Sequence, residues 1–397
     1  MNPSAQNTLR ATTAGPGGSG MAVTAGTHRI RRPEETWEWI RPLLPRCGIT
    51  RVAEVTWLDD IGIPVFQAIR PNARTLSVSQ GKGITRELAR VSAAMEAVEL
   101  WHSEHPALPT VTHTVEEVQP DLGYRVDALP LAPRHHLGPD CRLDWYPAAR
   151  VRGGERSLLP ASLLRLDARV AGRWAAPSFR ATSNGLASGN VREEALLHAM
   201  YEVIERDASA RAGRRGTALE VDLPTVDDPA ARDLLSRFAA AGVRVKVRFL
   251  PSPFGVPTFD AVIKSATFPV GCGGVGTHLD PGVALCRALT EAAQSRATAI
   301  AGARDDIGPE PYRDAPRTTA DGSPAPLLAA ASGETRVAYP TVPSLSFDSL
   351  REETAHVADV IESVTGSAPL HIDLTRPGIG IPVVHVVCPG ALADLAH

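Results

Sequence analysis

The chain has 397 residues, of which 43% are hydrophobic, so it can bury a large core and is expected to be globular. Its formal net charge of −3 is spread along the chain, which argues against nucleic acid and anionic membrane surfaces as partners. The sequence has neither a bilayer-spanning apolar run nor a signal-peptide pattern, so a cytoplasmic location is expected. Five scattered cysteines without a Cys-x2-Cys pair argue against a zinc site and a disulfide framework.

The N-terminal half begins with a segment rich in Gly, Ala, Ser and Thr, which is predicted to be a flexible tail over residues 1–30. The remainder, residues 31–397, is predicted to be one large domain. Gln-Gly-Lys-Gly at 80–83 is predicted to be a turn, in which Lys82 could contact a phosphate and the glycines would let backbone amides approach it. Periodicity and turn residues predict helices over 34–44 and 87–105, strands over 52–58 and 63–68, and an irregular region over 106–180 with strands near 145–151.

The strongest predicted helix covers residues 191–211, with Asn190 as its N-cap and acidic residues in its first turn. A loop rich in Pro, Asp and Ala at 307–335 is predicted to be mobile. The overall pattern indicates an α+β fold with α/β-like alternation. The other predicted elements are helices over 229–241, 282–301 and 349–365, the first with Asp228 as N-cap, and strands over 244–250, 259–264, 371–374 and 383–387.

Acidic and polar residues recur at helical spacing in three of these helices. Positions i, i+4 and i+7 lie on one narrow stripe, so Ser92, Glu96 and Glu99 share a face. The same spacing recurs in a second helix, and a third helix carries an acidic series. These further residues are Arg287, Glu291 and Gln294, and Glu194, Glu202 and Glu205, the last followed by Arg206.

Apolar neighbours flank these carboxylates, so helix packing is expected to bury them in part, and buried like charges are costly unless they are paired or bind cations. Mg²⁺ fits such a cluster, because it takes hard oxygen ligands and is commonly shared with nucleotide phosphates. For any single acidic pair, a solvated helix face is the simpler interpretation. The recurrence of acidic residues at helical spacing in three helices favours a metal and nucleotide site instead. Local ion pairs between Glu205 and Arg206, or between Arg287 and Glu291, are the alternative.

Two other side chains remain open at this point. His198 shares the face of Glu194 and Glu205, and it is either a packed histidine or a ligand. Cys272, in Val-Gly-Cys-Gly-Gly, suggests a nucleophile, but the sequence spacing identifies no paired histidine, so catalysis by this thiol is not favoured.

Three ordered blocks together resemble the YcaO enzymes over roughly residues 33–390. The first is Gly-Lys-Gly at 81–83 followed by Ser-Ala-Ala-Met-Glu-Ala-Val-Glu at 92–99. The second is Ser-Asn-Gly-Leu-Ala-Ser-Gly-Asn at 183–190, leading into Glu-Val-Ile-Glu-Arg-Asp at 202–207. The third is Arg-Ala-Leu-Thr-Glu-Ala-Ala-Gln-Ser-Arg at 287–296, followed by Ala-Arg-Asp-Asp at 303–306. Together the blocks are far more specific than any one alone.

The resemblance implies a fold built around an ATP cleft, with phosphates held through Mg²⁺ by glutamates of several helices. Glu99, Glu205 and Arg206 are the residues on which catalysis is expected to depend. By position, the implied metal-facing carboxylates are Glu96, Glu99, Glu202, Glu205 and, less securely, Glu291, and the implied nucleotide contacts are Lys82, Ser92, Asn190, Glu194, Arg206, Arg287 and Gln294.

The resemblance also implies a reaction class. YcaO enzymes phosphorylate the oxygen of a peptide amide after a nucleophile has added to its carbon. Sulfide then gives a thioamide, a side-chain thiol or hydroxyl an azoline, and a backbone amine an amidine ring. Many azoline-forming members end in a proline-rich tail, whereas this sequence ends soon after Cys-Pro-Gly at 388–390, so an azoline is not favoured.

The segment from Gly48 to the Arg-Pro-Asn at 70–72 looks like stand-alone members that act with a TfuA-type partner in thioamide formation. The expected function is therefore thioamidation of a ribosomally made precursor peptide, with a TfuA-like or other protein delivering that peptide. Azoline and macrocyclic amidine formation are the runners-up. A non-catalytic nucleotide-binding scaffold and an ATP-dependent carboxylate ligase are alternatives of other classes. Oligomeric state is left open, with a homodimer as one option.

Overall fold

The computed structural model describes residues 22–24, 27–169, 177–268, 270–304 and 335–392. The predicted mobile loop lies outside these residues except for its last position, 335, and the predicted tail lies outside them up to residue 21. Ala22–Thr24 and Thr27–Arg29, within the segment predicted to be a tail, pair as antiparallel strands. The next residue, Ile30, donates its backbone N–H to Glu194, a long-range anchor that composition cannot reveal.

The described elements alternate between helices and mostly short strands, as the α+β prediction requires. In the described part of the chain, none of the helices has the length and hydropathy needed to cross a bilayer. The helices are α1 (Pro33–Ile40), α2 (Arg86–Glu104), α3 (Val115–Val118), α4 (Ala161–Leu164), α5 (Arg192–Arg215), α6 (Pro229–Ala240), α7 (Pro281–Ala301) and α8 (Leu350–Thr365). The strands are β1 (Ala22–Thr24), β2 (Thr27–Arg29), β3 (Arg51–Glu54), β4 (Val65–Ile69), β5 (Val78–Lys82), β6 (Val111–Thr114), β7 (Arg142–Arg150), β8 (Arg156–Pro160), β9 (Leu186–Ser188), β10 (Leu219–Asp222), β11 (Arg244–Phe249), β12 (Thr258–Lys264), β13 (Cys272–Thr277), β14 (Arg336–Ala338), β15 (Leu370–Asp373) and β16 (Val383–Val387).

The first strand–helix unit joins the antiparallel sheet β3-β4-β5 to α2. Gly81 lies directly against the helix backbone: a Cβ there would be 2.0 Å from the nitrogen of Ala93 and 2.3 Å from the carbonyl oxygen of Ala89. Lys82 is the last residue of β5, so the prediction of a turn at 80–83 is wrong. Gly81 is needed for helix packing, because any side chain would push α2 off the sheet.

The second unit joins the five-stranded sheet β13-β12-β11-β10-β14 to α7. This sheet is antiparallel except for the parallel pair β10–β14. In β13, a Cβ on Gly276 would be 2.1 Å from the carbonyl oxygen of Ala284, and a Cβ on Gly274 would be 2.3 Å from the nitrogen of Ala292. Sequence analysis did not predict β13, because glycine normally weakens a strand. Here the glycines are required, because a side chain at either position would overlap the backbone of α7.

A third sheet and two helices complete the fold. Strands β6-β7-β15-β16-β9 form the sheet, with β8 on the other side of β7. Apolar side chains of α5 and α8 pack against β9 and β16 in one buried cluster. The predicted N-cap of α5 is wrong, because the helix begins at Arg192 and the cap position is Val191, which makes no side-chain capping bond. Asn190 instead bonds to Glu194 and Thr36.

Candidate functional site

A cleft of about 480 Å³ lies where α2, α5 and α7 meet. Its volume is within the range of small-molecule and cofactor sites. All twelve residues that the sequence predicted for a nucleotide and metal site line this one cleft, although they come from three separate blocks. They are Lys82, Ser92, Glu96, Glu99, Asn190, Glu194, Glu202, Glu205, Arg206, Arg287, Glu291 and Gln294. Their convergence is observed; the role assigned to each remains a prediction.

Helix α2 presents Ser92, Glu96 and Glu99 to the cleft, as the spacing predicted. Burial raises the pKa of Glu96 to about 7, against the lowering influence of Lys82. Burial likewise raises the pKa of Glu99 to about 8, although one of its oxygens accepts bonds from the backbone and hydroxyl of Ser188. Protein groups alone therefore compensate the negative charges of these two carboxylates poorly.

Helix α5 contributes a second acidic wall. Burial raises the pKa of Glu202 to about 7, although Arg206 approaches Glu202 at 3.9 Å and opposes the shift. The pKa of Glu205 is also raised, first by burial and then by the negative charge of Glu291. Among the described residues, the buried Oε2 of Glu205 has no hydrogen-bond partner. A buried carboxylate oxygen of this kind is a ready ligand for a cation.

Helix α7 and strand β5 bring the opposing cations. Lys82 forms an ion pair with Glu291 across the cleft. Burial alone would raise the pKa of Glu291, but Lys82, Arg206 and Arg287 together hold it below its usual value. Arg287 donates to the Nε2 of His198 at 3.1 Å. Burial and this guanidinium keep the pKa of His198 far below its usual range, so the ring is neutral.

The N-terminal segment forms a wall of the cleft that sequence analysis missed. Glu194 accepts bonds from the backbone of Ile30 at 2.7 Å, from the backbone of Asn190 at 2.7 Å and from its side chain at 3.0 Å. Thr36 donates to Asn190 at 2.7 Å, and Arg29 lies 3.8 Å from Glu194. The partners in the Ile30–Glu194 and Thr36–Asn190 bonds are separated by more than 150 residues in sequence, and no local pattern signals such contacts.

The cleft fits Mg²⁺ bound together with a nucleotide better than it fits a metal caged by protein alone. Over the described ranges, no group of three or more Asp, Glu, His or Cys side chains is already arranged to hold a metal ion. Mg²⁺ typically takes one or two carboxylates and completes its shell with water and phosphate oxygens. The cleft has carboxylate oxygens that could bind Mg²⁺, and it has facing cations that could bind phosphate oxygens. The raised pKa values of the carboxyls show that protein groups alone do not compensate their charge.

The cysteines do not supply a nucleophile to this cleft. Cys286 borders it, but its thiol points toward Asp228 at 3.9 Å, and burial raises its pKa far above the usual range. Cys272 lies in β13, where burial raises its pKa to about 11. Burial therefore favours the protonated form of both thiols near neutral pH.

The two strand–helix units present matching positions to the cleft. Gly81 and Gly276 occupy equivalent places on their strands, each pressed against a helix backbone. Counting onward equally from both, Glu96 of α2 corresponds to Glu291 of α7, and Glu99 to Gln294. The helix caps Thr85 and Asp280 also correspond. The cleft therefore lies between two similar halves, one more acidic and one that includes Arg287.

A family model described as YcaO cyclodehydratase, ATP- and Mg²⁺-binding, matches residues 80–392. The chain belongs to the YcaO family. ATP and Mg²⁺ are the cofactors of that family model, and the carboxylate cleft of this YcaO chain suits both. The match begins two residues before Lys82, so the N-terminal wall, which includes Arg29 and Thr36, lies outside it.

Two relatives illustrate the sequence similarity. An uncharacterized protein of Mycobacterium tuberculosis is 39% identical over 373 residues, covering 94% of this chain and 84% of that protein. An uncharacterized protein from the tfuA 3′ region of Rhizobium leguminosarum bv. trifolii is 35% identical over 385 residues, covering 93% of this chain and 89% of that protein.

Solved structures show the same fold. The YcaO protein of Methanopyrus kandleri, bound with AMPPCP and Mg²⁺, has a TM-score of 0.72 and 25% identity, with 94% of each chain covered. A heterocyclase in complex with substrate and cofactor has a TM-score of 0.75 and 24% identity, over 92% of this chain and 53% of that one. This chain thus spans about half the length of that heterocyclase.

Proposed function

We propose that this YcaO chain catalyses ATP-dependent thioamidation of a ribosomally made peptide, with external sulfide as the nucleophile. The sulfur of hydrosulfide bonds to the carbon of a backbone amide. The amide oxygen accepts the γ-phosphoryl group of ATP and leaves as inorganic phosphate, which also carries the hydrosulfide proton. The products are the thioamide, ADP and phosphate. Phosphorylation matters because it converts a poor oxygen leaving group into a good one.

The observation that supports ATP-dependent chemistry is the convergence of five carboxylates from α2, α5 and α7 on a cleft that also holds Lys82, Arg206 and Arg287. Carboxylates that bind Mg²⁺ and cations that contact phosphates are the parts that phosphoryl transfer uses. When bound, ATP supplies the phosphoryl group and Mg²⁺ neutralises its charge. The chain's own residues orient the phosphates and limit their contact with water.

Each cleft residue has a distinct task in this proposal. Glu96, Glu99, Glu202 and Glu205 would hold Mg²⁺, with Glu291 as a less secure fifth ligand. Arg206 and Arg287 stabilise negative charge on the transferring group. Lys82, Ser92, Asn190, Glu194 and Gln294 position the nucleotide, and Glu194 does so by fixing Asn190 and the N-terminal wall.

The nucleophile comes from outside the chain in this proposal, because Cys272 and Cys286 are buried, protonated thiols. Sulfide is favoured over a substrate side chain by the relative that is 35% identical and is described as lying in a tfuA 3′ region. We infer that a TfuA-type protein is the partner of this chain and delivers the precursor peptide or the sulfur.

Ring closure is the second candidate, because the matching family model is described as a cyclodehydratase. In that reaction a thiol or hydroxyl of the substrate replaces sulfide and the product is an azoline. A backbone amine would instead give an amidine ring. The same cleft would activate the amide oxygen in each case, so the mass of the product is the property that separates these reactions.

The test is incubation of the purified chain with candidate precursor peptide, partner protein, Mg-ATP and sulfide, followed by mass spectrometry of the peptide. Thioamidation predicts replacement of one oxygen by sulfur, dependent on both ATP and sulfide. Loss of one water without sulfur uptake would instead establish ring closure. Peptide binding without any mass change or ADP release would leave a nucleotide-binding scaffold as the function.

A further inference from the structure

We propose that Lys82 is the internal counter-ion of the cleft: it neutralises Glu291 in the nucleotide-free protein and is displaced from Glu291 when Mg²⁺ binds. This inference rests on the proposed Mg²⁺ site. In addition to residues that bind Mg²⁺, the cleft would then contain a side chain that competes with Mg²⁺ for Glu291.

The geometry places this lysine between the two halves of the cleft. Lys82 ends β5 in the first strand–helix unit, and Glu291 lies on α7 in the second, 209 residues further along the chain. Their side chains form a direct ion pair and are only 19% and 26% exposed. The pair therefore links the two units at the place where a ligand would separate them.

The charges around Lys82 explain why a cation is required there. Glu96 of α2 and Glu205 of α5 line the same cleft as Lys82. An uncompensated group of buried carboxylates would be strongly destabilising. Lys82 thus serves carboxylates of all three helices, although its ion pair is with Glu291.

Two arginines that line the cleft are held differently. Arg287 donates to His198, and Arg206 lies beside Glu202 one helical turn away. A guanidinium makes directional, forked bonds, whereas an ammonium is a compact charge on a flexible four-carbon stem. Lys82 is therefore better suited than Arg206 or Arg287 to leave its carboxylate and move toward solvent or a phosphate.

The first test measures Mg²⁺ binding without nucleotide by isothermal titration calorimetry, at fixed pH and ionic strength. Lys82→Met removes the competitor, so its Mg²⁺ affinity should rise about tenfold. Lys82→Arg keeps the charge and can hold the carboxylate by forked bonds, so its Mg²⁺ affinity should not rise above that of the wild type. A residue that only contacts phosphate would leave Mg²⁺ affinity unchanged. An unchanged or weaker affinity in a folded Lys82→Met variant would overturn the proposal.

The second test uses the wild-type protein and does not depend on whether a variant folds. The chain contains three lysines, Lys82, Lys246 and Lys264, so the latter two are internal references for an amine-acetylation footprint. Saturating MgCl₂ should increase acetylation of Lys82 relative to both references. Equal acetylation of Lys82, relative to the two reference lysines, with and without Mg²⁺ would refute displacement. Neither test needs peptide, sulfide or ATP. Displacement of Lys82 can therefore be refuted while thioamidation is still supported, and thioamidation can be refuted while displacement of Lys82 is still supported.

Discussion

Glu99 and Ser188 are joined through a single carboxylate oxygen, which accepts the backbone N–H at 2.8 Å and the hydroxyl at 2.6 Å. The two residues are 89 positions apart, on α2 and β9. Both bonds go to Oε1, and the carboxylate lines the cleft. The serine thus fixes the orientation of a carboxylate that lines the cleft before any ligand binds.

Replacing Glu99 or Glu205 by Gln should weaken Mg-ATP binding by about 10- to 100-fold and abolish turnover, because each change removes a charged oxygen ligand. Calorimetry measures the affinity, and ADP release measures turnover. Glu193→Gln is the matched control, since Glu193 lies in the first turn of α5 but is exposed to solvent. Normal binding and activity in both cleft variants would rule out the carboxylate site.

The nucleotide-free protein should lose stability as pH rises from about 6.5 to 8.5. The pKa values of Glu96, Glu99 and Glu202 are raised to about 7, 8 and 7 from a usual 4.5. The folded state therefore binds more protons than the unfolded chain in this window, and this stabilisation is lost as the carboxyls ionise. The unfolding free energy should fall by about 1.4 kcal/mol per pH unit for each proton released.

Thermal unfolding at several pH values measures this effect. Saturating Mg-ATP should remove the loss, because the metal stabilises the ionised carboxylates. Buried histidines affect stability at lower pH. Burial reduces the pKa of His385 from 6.5 to about 4, so its effect on the unfolding free energy falls below this pH window. A Glu99→Gln, Glu202→Gln double variant should have a flatter profile. An equally steep decline in that variant would assign the effect to other groups.

Gly276→Ala should destabilise the fold by about 1–3 kcal/mol, because the new methyl group would overlap the backbone of α7. Its Cβ would lie 2.1 Å from the carbonyl oxygen of Ala284. Gly273→Ala on the same strand is the control, since the atom nearest to its Cβ is 3.8 Å away. Chemical denaturation compares the two. Equal stabilities would mean that α7 does not pack on β13 as closely as described.

Glu104→Gln should cost about 3–5 kcal/mol, because it leaves the guanidinium of Arg70 buried without its charge partner. The two side chains are 0% and 2% exposed and form a bidentate pair at 2.7 and 2.8 Å. Asp127→Asn, which breaks an exposed pair with Arg125, should change stability by less than about 1 kcal/mol. Urea denaturation of both variants tests the contrast. Equal losses would show that burial does not set the strength of these pairs.

Local signals predicted the helices well. Asp228 caps α6 by accepting the backbone N–H of Ala231 at 2.8 Å, and the helix begins at Pro229 as expected. The i, i+4, i+7 spacing also predicted correctly which side chains of α2 and α7 share the cleft. Both kinds of signal depend on residues within two helical turns, so a single sequence contains all the information that they require.

Features that depend on distant partners were missed or misplaced. Gly81 and Gly276 resemble turn residues until the helix that packs on each is known. Asn190 has a side chain typical of an N-cap, but Thr36 and Glu194 bind it instead. Arg29 and Ile30 lie in a segment whose composition is typical of a flexible tail, yet both contact Glu194 of α5. Such non-local contacts leave no periodic trace in the sequence.

The glycine contacts also limit how the cleft can change shape. Each helix backbone touches its strand so closely that sliding within a unit would cause steric overlap at Gly81 or Gly276. We therefore expect any closure around a ligand to be a hinge motion of one strand–helix unit against the other. The separation between Glu96 and Glu291 would then measure the hinge angle.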